Sequence, residues 1–421
     1  MTINRLFFLS AVAAFAGAWT ALAQAPAAGT NAAPAVLAPA ATPDELHFDY
    51  RAAWRVYPEF VELNKSTANL LPGVLLPPSQ TEVSNLRLDL RASPYDVADF
   101  ELKPRFDYSY EEWKQGARKG DENWKESAYL NGWLAQVHLW DQLALAYSRE
   151  DLEWGPSYLV SPSNPFRNNN GRNLPQIELP GMDFVKAIWT PTTHWSFSAL
   201  ANVDDGRANL PPLGKALAEA GAPQDFIDKT LDPVEFHRTY ALKADYTAEA
   251  CTFSLIGSAS ENHDNRLGGY ASWNVSEAVL AYGEIGAGQG GDTDYLLGSS
   301  YTFADNSTIA VEFFHNGMNS EEDTAGVARL IAPTGPYAGF INHDYSLLQY
   351  RKSDILNHVD LILRWIHCID DNSDRVAGEI ECSLNDHASL FADGMADLGA
   401  HDDEFGIMTR YILLAGVKLS L

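Results

Sequence analysis

Charged side chains recur at every second position in several stretches of this chain, with both signs interleaved. The charged residues with this spacing are Arg51, Arg55, Arg87, Asp89, Arg91, Glu101, Lys103, Arg105, Asp107, Lys243 and Asp245. A guanidinium group is planar and permanently charged, and it holds a carboxylate or a phosphate through two hydrogen bonds. A row of arginines therefore favours anionic or polyhydroxylated solutes that move from one site to the next. The alternative is that these charges pair with one another across neighbouring strands.

The same spacing identifies the elements that carry these charges. Side chains in a β-strand point to opposite faces with a period of two, so residues 47–56, 86–91 and 99–111 each have one apolar and one ionic face. The ionic face must contact water, while the apolar face must contact lipid or a protein core. This pattern predicts strands of a barrel that spans the outer membrane. A soluble periplasmic protein is the alternative.

Alternation and turn residues together predict roughly 18 strands of the length that a tilted transmembrane strand requires. The candidate strands are 46–57, 83–93, 98–112, 127–138, 142–152, 183–190, 193–203, 237–248, 250–259, 266–275, 277–287, 293–304, 307–317, 343–352, 355–368, 376–384, 387–398 and 405–421. The pattern is weakest in 127–152 and 376–398, so a barrel of about 16 strands is the alternative. We therefore expect an all-β fold, a transmembrane antiparallel up-and-down β-barrel.

The connections between these strands alternate between short and long. Bacterial outer-membrane barrels have short periplasmic turns and longer extracellular loops, and an even number of strands puts both termini in the periplasm. Two long connections, 153–182 and 204–236, are the candidates for a loop that narrows the lumen or caps it from outside, because loops often carry selectivity.

The N-terminal residues predict export from the cytoplasm. Arg5 precedes an apolar run over 6–18, and a small-x-small pattern at 21–23 fits a cleavage site. We therefore predict a signal peptide over 1–23, an Ala/Pro-rich periplasmic lead-in over 24–44, and the barrel over 45–421. The predicted location is the outer membrane of a Gram-negative bacterium.

The chain is strongly acidic, with a formal net charge of -27 at pH 7. A charge of this sign argues against nucleic acid as a partner. Acidic residues are concentrated in the predicted loops, at 321–323, 370–371 and 402–404. There they are suited to divalent cations that bridge lipopolysaccharide, or they are simply solvated loop charges.

One acidic loop has the spacing of a calcium site. Asp370, Asn372, Asp374 and Glu381 occupy positions one, three, five and twelve of a calcium-loop pattern, and Ca²⁺ prefers such oxygen ligands. The alternative is a plain acidic loop and no bound cofactor, because Arg375 stands where the pattern expects glycine.

Cysteines bracket this loop. Cys368 and Cys382 flank it, and in an oxidising periplasm they are a candidate disulfide pair, whereas alternation places Cys251 on the lipid-facing side.

Enzymatic activity is not expected from this sequence. An outer-membrane hydrolase would need a serine and histidine pair, and the nearest pairs are His194 with Ser196 or Ser198, and His387 with Ser389. A third hypothesis is a structural or docking barrel that serves a periplasmic or surface partner. We expect a channel, because a barrel of 16 to 18 strands leaves an aqueous lumen.

At the level of strand pattern, residues 45–421 resemble Gram-negative outer-membrane porins. Residues 149–155 and 161–165 look like the passage from strand to loop in several porin-like families, and the arginine-lined lumen is weakly similar to alginate-export porins. The C-terminal strand resembles the signal read by the barrel-assembly machinery, with Gly416, Leu419 and Leu421 at the matching spacing. The resemblance implies a porin that passes small hydrophilic solutes and assembles as a homotrimer, with polysaccharide export as an alternative.

Overall fold

The structure of this chain is a computed structural model. It describes residues 46–64, 76–95, 97–166, 178–179, 181–206, 236–261, 265–289, 293–317, 340, 342–400, 403–406 and 409–421. The chain divides into Met1–Pro43 and Asp44–Leu421, and all described residues belong to the second unit. The signal peptide and the lead-in, which we predict over 1–23 and 24–44, lie outside the described residues.

The described part of the chain forms 18 β-strands, which confirms the larger of the two predicted numbers. The strands are β1 (His47–Leu63), β2 (Gln80–Ser93), β3 (Ala98–Glu112), β4 (Glu122–Trp140), β5 (Leu143–Glu150), β6 (Met182–Trp189), β7 (Trp195–Asp204), β8 (Thr239–Thr247), β9 (Cys251–Ser260), β10 (Arg266–Asn274), β11 (Val279–Gly288), β12 (Thr293–Thr302), β13 (Thr308–His315), β14 (Asp344–Ile355), β15 (Val359–Cys368), β16 (Asp374–Asn385), β17 (Ala388–Leu398) and β18 (Thr409–Ser420). In the described parts of the connections there are two single-turn 3₁₀ helices, Gly116–Arg118 and Glu404–Gly406. No helix among the described residues is long and apolar enough to cross a bilayer.

Every strand pairs antiparallel with its neighbours in sequence, and the last strand returns to the first. β18 pairs with β1, for example at Ala53 with Ser420 and at Val56 with Val417. Closure leaves the sheet without an unpaired edge. The predicted fold class, an antiparallel up-and-down β-barrel, is therefore confirmed.

The two ends of the barrel differ in the length of their connections. At one end, which we call the short-turn rim, β4 and β5 are joined by Asp141 and Gln142, and β16 and β17 by Asp386 and His387. The first strand begins and the last strand ends at this rim. At the other end, the long-loop rim, the connection from β5 to β6 spans residues 151–181.

The outward face of the barrel is apolar. Large hydrophobic side chains that are at least 40% exposed alternate along the strands. Examples are Phe48, Tyr50, Leu102, Phe106, Phe253, Leu255, Leu297, Leu363 and Leu413. The intervening residues point inward and include most of the charged side chains of the strands. The alternation in the sequence therefore corresponds to side chains that point by turns to the outer wall and to the lumen.

A β-bulge explains why alternation is weak in the fourth strand. The inward residue Arg105 opposes Tyr129, whereas the inward residue Lys103 opposes Gly132. One extra residue, the buried Asn131, therefore lies between them and reverses which positions of β4 face the lumen.

Candidate functional site

The connection from β5 to β6 enters the barrel. We call its residues 151–166 the inward segment. Trp154 and Phe166 pack against Phe184, Leu200 and Ile256 of the inner wall. Further along the segment, Leu159 and Val160 are buried against a second apolar group on the inner wall. That group includes Tyr282, Leu296, Phe314, Tyr345, Leu347 and Ile366.

Glu284 of β11 holds the inward segment through hydrogen bonds. Its Oε2 accepts hydrogen bonds from the hydroxyls of Ser161 at 2.7 Å and Ser163 at 2.8 Å. Its Oε1 accepts from both the backbone N–H and the hydroxyl of Ser157. A fully buried carboxylate is tolerated only with such partners, so these contacts fix the segment against the wall.

Glu312 of β13 is a second anchor. One carboxylate oxygen accepts hydrogen bonds from the backbone N–H of Tyr158 at 2.7 Å and from the Tyr282 hydroxyl at 2.6 Å. The other accepts from the N–H of Leu159 at 2.8 Å. Two successive backbone amides thus aim at one carboxylate, which positions this turn of the inward segment.

Glycines make room for this close approach. Gly155 has φ of +79°, and a Cβ there would lie 2.1 Å from Oε1 of Glu284. A Cβ on Gly286 of β11 would lie 2.1 Å from the carbonyl oxygen of Pro162. Larger side chains at either position would push the inward segment off the wall.

The same connection also contacts the opposite side of the barrel. Glu178 accepts two hydrogen bonds from Arg105 of β3, at 2.8 Å from Nε and 2.6 Å from Nη2, and lies 3.8 Å from Nε of Arg87 on β2. In an 18-stranded barrel, β2 and β11 lie nine strands apart in either direction, so they face each other. The two described parts of this connection, 151–166 and 178–179, therefore contact opposite walls of the barrel.

The surroundings of Glu178 favour its charged form. Burial of the carboxylate opposes ionisation, but the hydrogen bond from Arg105 and the charges of Arg87 and Arg105 outweigh burial. Together they hold the pKa of Glu178 below its ordinary value.

A cavity of about 440 Å³ lies in the part of the lumen that the inward segment leaves uncovered. Strands β1–β4 and β15–β18 line it together with Glu178. Its charged lining residues are Arg55, Arg87, Arg364, Glu59, Asp107, Glu178, Glu379 and Asp393. Both signs are present, so the lining is a mixed surface rather than a purely basic one.

The residues that we predict to line the pore point inward, and most engage a neighbour of opposite charge. Arg105 is buried and its Nη2 lies 2.9 Å from Asp89, while Arg91 lies 3.5 Å from Asp99. Lys103 lies 3.1 Å from Glu101. Arg51 opposes Asp89 across β1 and β2, and Arg55 opposes Asn85. These contacts favour pairing across strands over an open basic row.

Asp107 and the Lys243 pair have distinct surroundings. Asp107 lines the cavity and accepts hydrogen bonds from Asn85 and from the Tyr129 hydroxyl. Lys243 and Asp245 bond to each other, and Lys243 lies over the ring of Trp154 of the inward segment at 5.4 Å. The side chains of Lys243 and Asp245 are nearly buried, and neither residue lines the cavity.

Several site residues do not appear in the sequence-based prediction. Arg364, Glu379 and Asp393 lie in predicted strands, and the period-two pattern of each strand would have assigned them to the lumen. Glu178 lies outside any strand and carries no periodic signal. Its role depends on a contact with Arg105, which is 73 residues away in sequence.

The structure does not bring the four residues of the predicted calcium site together. Asp370 accepts hydrogen bonds from the backbone N–H groups of His343 and Asp344, while Asp374 contacts His367 and Trp365 on the outward face. Glu381 lies seven residues further along β16, on the inward face, and contacts Ser389 and Lys418. With Asn372 at the turn, the four side chains do not converge, because two of the positions lie in an extended strand.

The structure also does not bring the two cysteines of the predicted disulfide together. Cys368 opposes Tyr345 at the long-loop end of β15, whereas Cys382 opposes Val359 at the short-turn end of the same hairpin. They also lie on opposite faces of the sheet. All three cysteines of the chain lie in the described part and are free thiols, and Cys251 is on the outward face as expected.

The serine and histidine pairs are engaged elsewhere. Nδ1 of His194 contacts the carbonyl of Thr247, and Nδ1 of His387 contacts the carbonyl of Ser420. The hydroxyl of Ser389 donates to Glu381 instead. Most of the other candidate constriction loop, 207–235, lies outside the described residues.

No protein-family model and no curated protein sequence matches this chain. Solved structures similar to it include a triple mutant of the Rhodopseudomonas blastica porin, with a TM-score of 0.42 and 11% identity over 89% of this chain and 100% of that chain. Two other mutants of the same porin each give a TM-score of 0.44 with the same identity and coverage. At these TM-scores, the function has to be inferred from the lumen itself.

Proposed function

We propose that this protein is a porin of the outer membrane of a Gram-negative bacterium and that small hydrophilic solutes cross its lumen passively. The single observation that carries the proposal is the division of the lumen. The inward segment fills one side of it, and a cavity of about 440 Å³ with charged residues of both signs in its lining remains on the other. A packed structural barrel would need no such water-accessible, charged passage.

The outer wall supports the membrane location. Large apolar side chains are exposed along the strands over the whole circumference, and a soluble protein rarely exposes so much contiguous apolar surface. Lipid is the partner that such a wall requires. We propose that the short-turn rim and both termini face the periplasm, and that the acidic long-loop rim faces outward, towards lipopolysaccharide.

Further partners follow from the porin hypothesis. We propose that the barrel-assembly machinery recognises the C-terminal strand, in which Tyr411, Leu413, Ala415, Val417 and Leu419 point outward. Assembly as a homotrimer is a further part of the proposal. We propose no enzymatic activity, since neither Ser389 nor His387 is directed at the other.

The test is a planar-bilayer measurement of the refolded barrel with cysteines placed on either side of β1. In a background in which Cys251, Cys368 and Cys382 are replaced by serine, Ala53→Cys puts a thiol on the lumen face. Ala52→Cys puts an identical thiol one residue away on the outward face. A membrane-impermeant, negatively charged thiol reagent is then added while single-channel current is recorded.

We expect steady open current from both variants and a stepwise fall in conductance only for Ala53→Cys. Folded barrels that carry no current would contradict the porin and leave a docking barrel or a gated polysaccharide exporter. Current that the reagent leaves unchanged in Ala53→Cys would show that ions do not pass through this lumen.

A further inference from the structure

One patch of the cavity wall combines a donor and acceptors that have no hydrogen-bond partner in the described part of the chain. Nε of Arg364 donates to Gln349 at 2.5 Å, but its Nη1 makes no hydrogen bond within the described part of the chain. Neither carboxylate oxygen of Asp393 has a hydrogen-bond partner there. Arg364 is 6% exposed, so its free donor is almost completely shielded by protein.

Three neighbouring strands bring these groups together. Asp393 of β17 directly opposes Glu379 of β16, and both face the lumen. Arg364 of β15 opposes Ala377, which is two residues before Glu379 on the same face. Opposed side chains have Cβ atoms about 5 Å apart, and diagonal neighbours are about 7–8 Å apart. The short side chain of Ala377 leaves space between the guanidinium and the two carboxylates.

Apolar side chains flank the charged patch. Ile362, Met395, Ile412 and Leu414 line the same cavity on adjacent inward positions of β15, β17 and β18. A ligand here therefore meets apolar surface beside a donor and acceptors. We call Arg364, Glu379, Asp393 and these four apolar residues the β15–β18 subsite.

The chemistry of the β15–β18 subsite selects among ligand classes. An anion attracted by Arg364 would meet the two carboxylates, and a cation attracted by the carboxylates would meet Arg364. A hydroxyl group is both a donor and an acceptor, so adjacent hydroxyls satisfy Arg364 and Asp393 together. The cavity volume lies within the usual range of about 300–1,000 Å³ for small-molecule sites.

We propose that the β15–β18 subsite binds neutral polyhydroxylated solutes of sugar type as they pass through the barrel. This inference rests on the proposed porin function, because the subsite lies on the conducting path. Hydroxyls would bond to Arg364 and Asp393, and the C–H face of the solute would lie on Ile412 and Leu414.

The first experiment records ion current through single channels during titration with D-glucose. The matched probe is triethylene glycol dimethyl ether at equal viscosity, which accepts but does not donate hydrogen bonds. We expect a saturable decrease in current with glucose and only the viscosity effect with the ether. Asp393→Leu and Arg364→Met are expected to weaken apparent glucose affinity by about tenfold or more, since each removes a hydrogen bond to a charged group.

Asp49→Leu is the matched control, because Asp49 also faces the lumen but lies near the short-turn rim and outside the cavity. It is expected to leave glucose affinity unchanged, and an equal loss in Asp49→Leu would overturn the subsite. If Asp393→Leu does not refold, Asp393→Asn keeps the shape and tests the same contact. Stronger block by putrescine than by glucose would instead identify a cation site.

Saturation-transfer NMR of the detergent-solubilised barrel with glucose separates the two proposals. A channel that conducts but shows neither current block nor transfer from glucose would overturn the subsite and leave the porin standing. A barrel that carries no current, yet transfers saturation to glucose in the wild type and not in Asp393→Leu, would overturn the porin and retain the subsite.

Discussion

The two sides of the lumen are built from the same alternating strands but hold their charges in different ways. On the side of β6–β14, which we call the covered side, Glu284 and Glu312 are buried under the inward segment and accept hydrogen bonds from it. On the side of β15–β18 and β1–β4, the open side, charges face the cavity, and neither Asp393 nor Nη1 of Arg364 has a hydrogen-bond partner in the described part of the chain. The strands differ as well. On the covered side β6–β13 have 8 to 10 residues and β14 has 12, whereas on the open side β1–β4 have 14 to 19 and β15–β18 have 10 to 12.

This difference shows that one wall of the barrel supports the inward segment while the other wall lines the cavity. Glu284 and Glu312 of the covered side accept hydrogen bonds from the inward segment, so they contribute to its position rather than to solute contact. On the open side, Asp107, Glu379 and Asp393 line the cavity and are not covered by the inward segment. Variants that remove a contact on one side or the other test this comparison.

The largest effect is expected from removing an anchor of the covered side. Glu284→Ala removes the carboxylate acceptor of three serine hydroxyls and one backbone N–H of the inward segment. The hydroxyls of Ser157 and Ser161 each keep a backbone carbonyl as a second acceptor, whereas the hydroxyl of Ser163 and the N–H of Ser157 lose the carboxylate that accepted from them. We expect the free energy of unfolding to fall by about 3 kcal/mol or more, because buried unsatisfied groups cost about 1–3 kcal/mol each. The expected functional result is higher and noisier single-channel conductance as the inward segment loosens.

The measurement is the temperature at which the folded barrel converts to the unfolded band on a gel, together with conductance. Glu111→Ala is the control, because Glu111 also faces inward but pairs with the well-exposed Lys125. Glu111 is itself buried, but Lys125 is 60% exposed and water can replace its partner, so the expected loss is about 1 kcal/mol or less. Equal losses in both variants would contradict the division of the lumen into two sides.

A smaller effect is expected where the connection reaches the open side. Glu178→Gln removes the negative charge that Arg105 and Arg87 share. The lumen near β2 and β3 then gains net positive charge, and we expect the chloride-to-potassium permeability ratio to rise by up to about tenfold. Reversal potentials in a salt gradient measure this ratio. Glu101→Gln serves as the control, because Glu101 pairs with Lys103 at greater exposure, and a shift as large there would count against a special role for Glu178.

The smallest effect is the pH dependence of the same contact. The pKa of Glu178 is held below its ordinary value of 4.5, so the ion pair with Arg105 persists from neutral pH down to 4.5 and is lost as pH falls through the lowered pKa. Protonation removes a negative charge, so the channel should shift towards anions only below pH 4.5.

A second acid near the long-loop rim provides the control for this titration. Burial and the neighbouring Asp204 raise the pKa of Asp205 to about 6. Recording reversal potentials in Asp205→Asn removes that group from the titration. A selectivity change centred above pH 5 in this variant, or one that persists in Asp205→Asn with Glu178→Gln, would show that another group is responsible.

The alternation of the sequence determined the strands and most of their lumen faces. Arg55, Glu101 and Asp107 are predicted on the lumen side and lie there, because the period of a strand is a local property of the backbone. Where a bulge adds a residue, as at Asn131, the inward and outward positions of the strand exchange, and the period of two no longer holds across the bulge. The spacing of the calcium motif did not predict where its side chains lie, because Asp374 and Glu381 belong to one extended strand rather than to a loop.

The path of the inward segment was decided only by the tertiary structure. Residues 151–166 carry no periodic pattern, and their acceptors, Glu284 and Glu312, come from strands more than a hundred residues later. Which charges pair and which remain open to the cavity depends on that path, because a carboxylate covered by the segment and one facing the cavity are identical in sequence. The sequence by itself thus determined the closed barrel with its apolar outside and charged inside, through a local period of two residues. Only the folded chain decided which side of the lumen is covered and which side lines the cavity, since that choice depends on contacts between residues far apart in sequence.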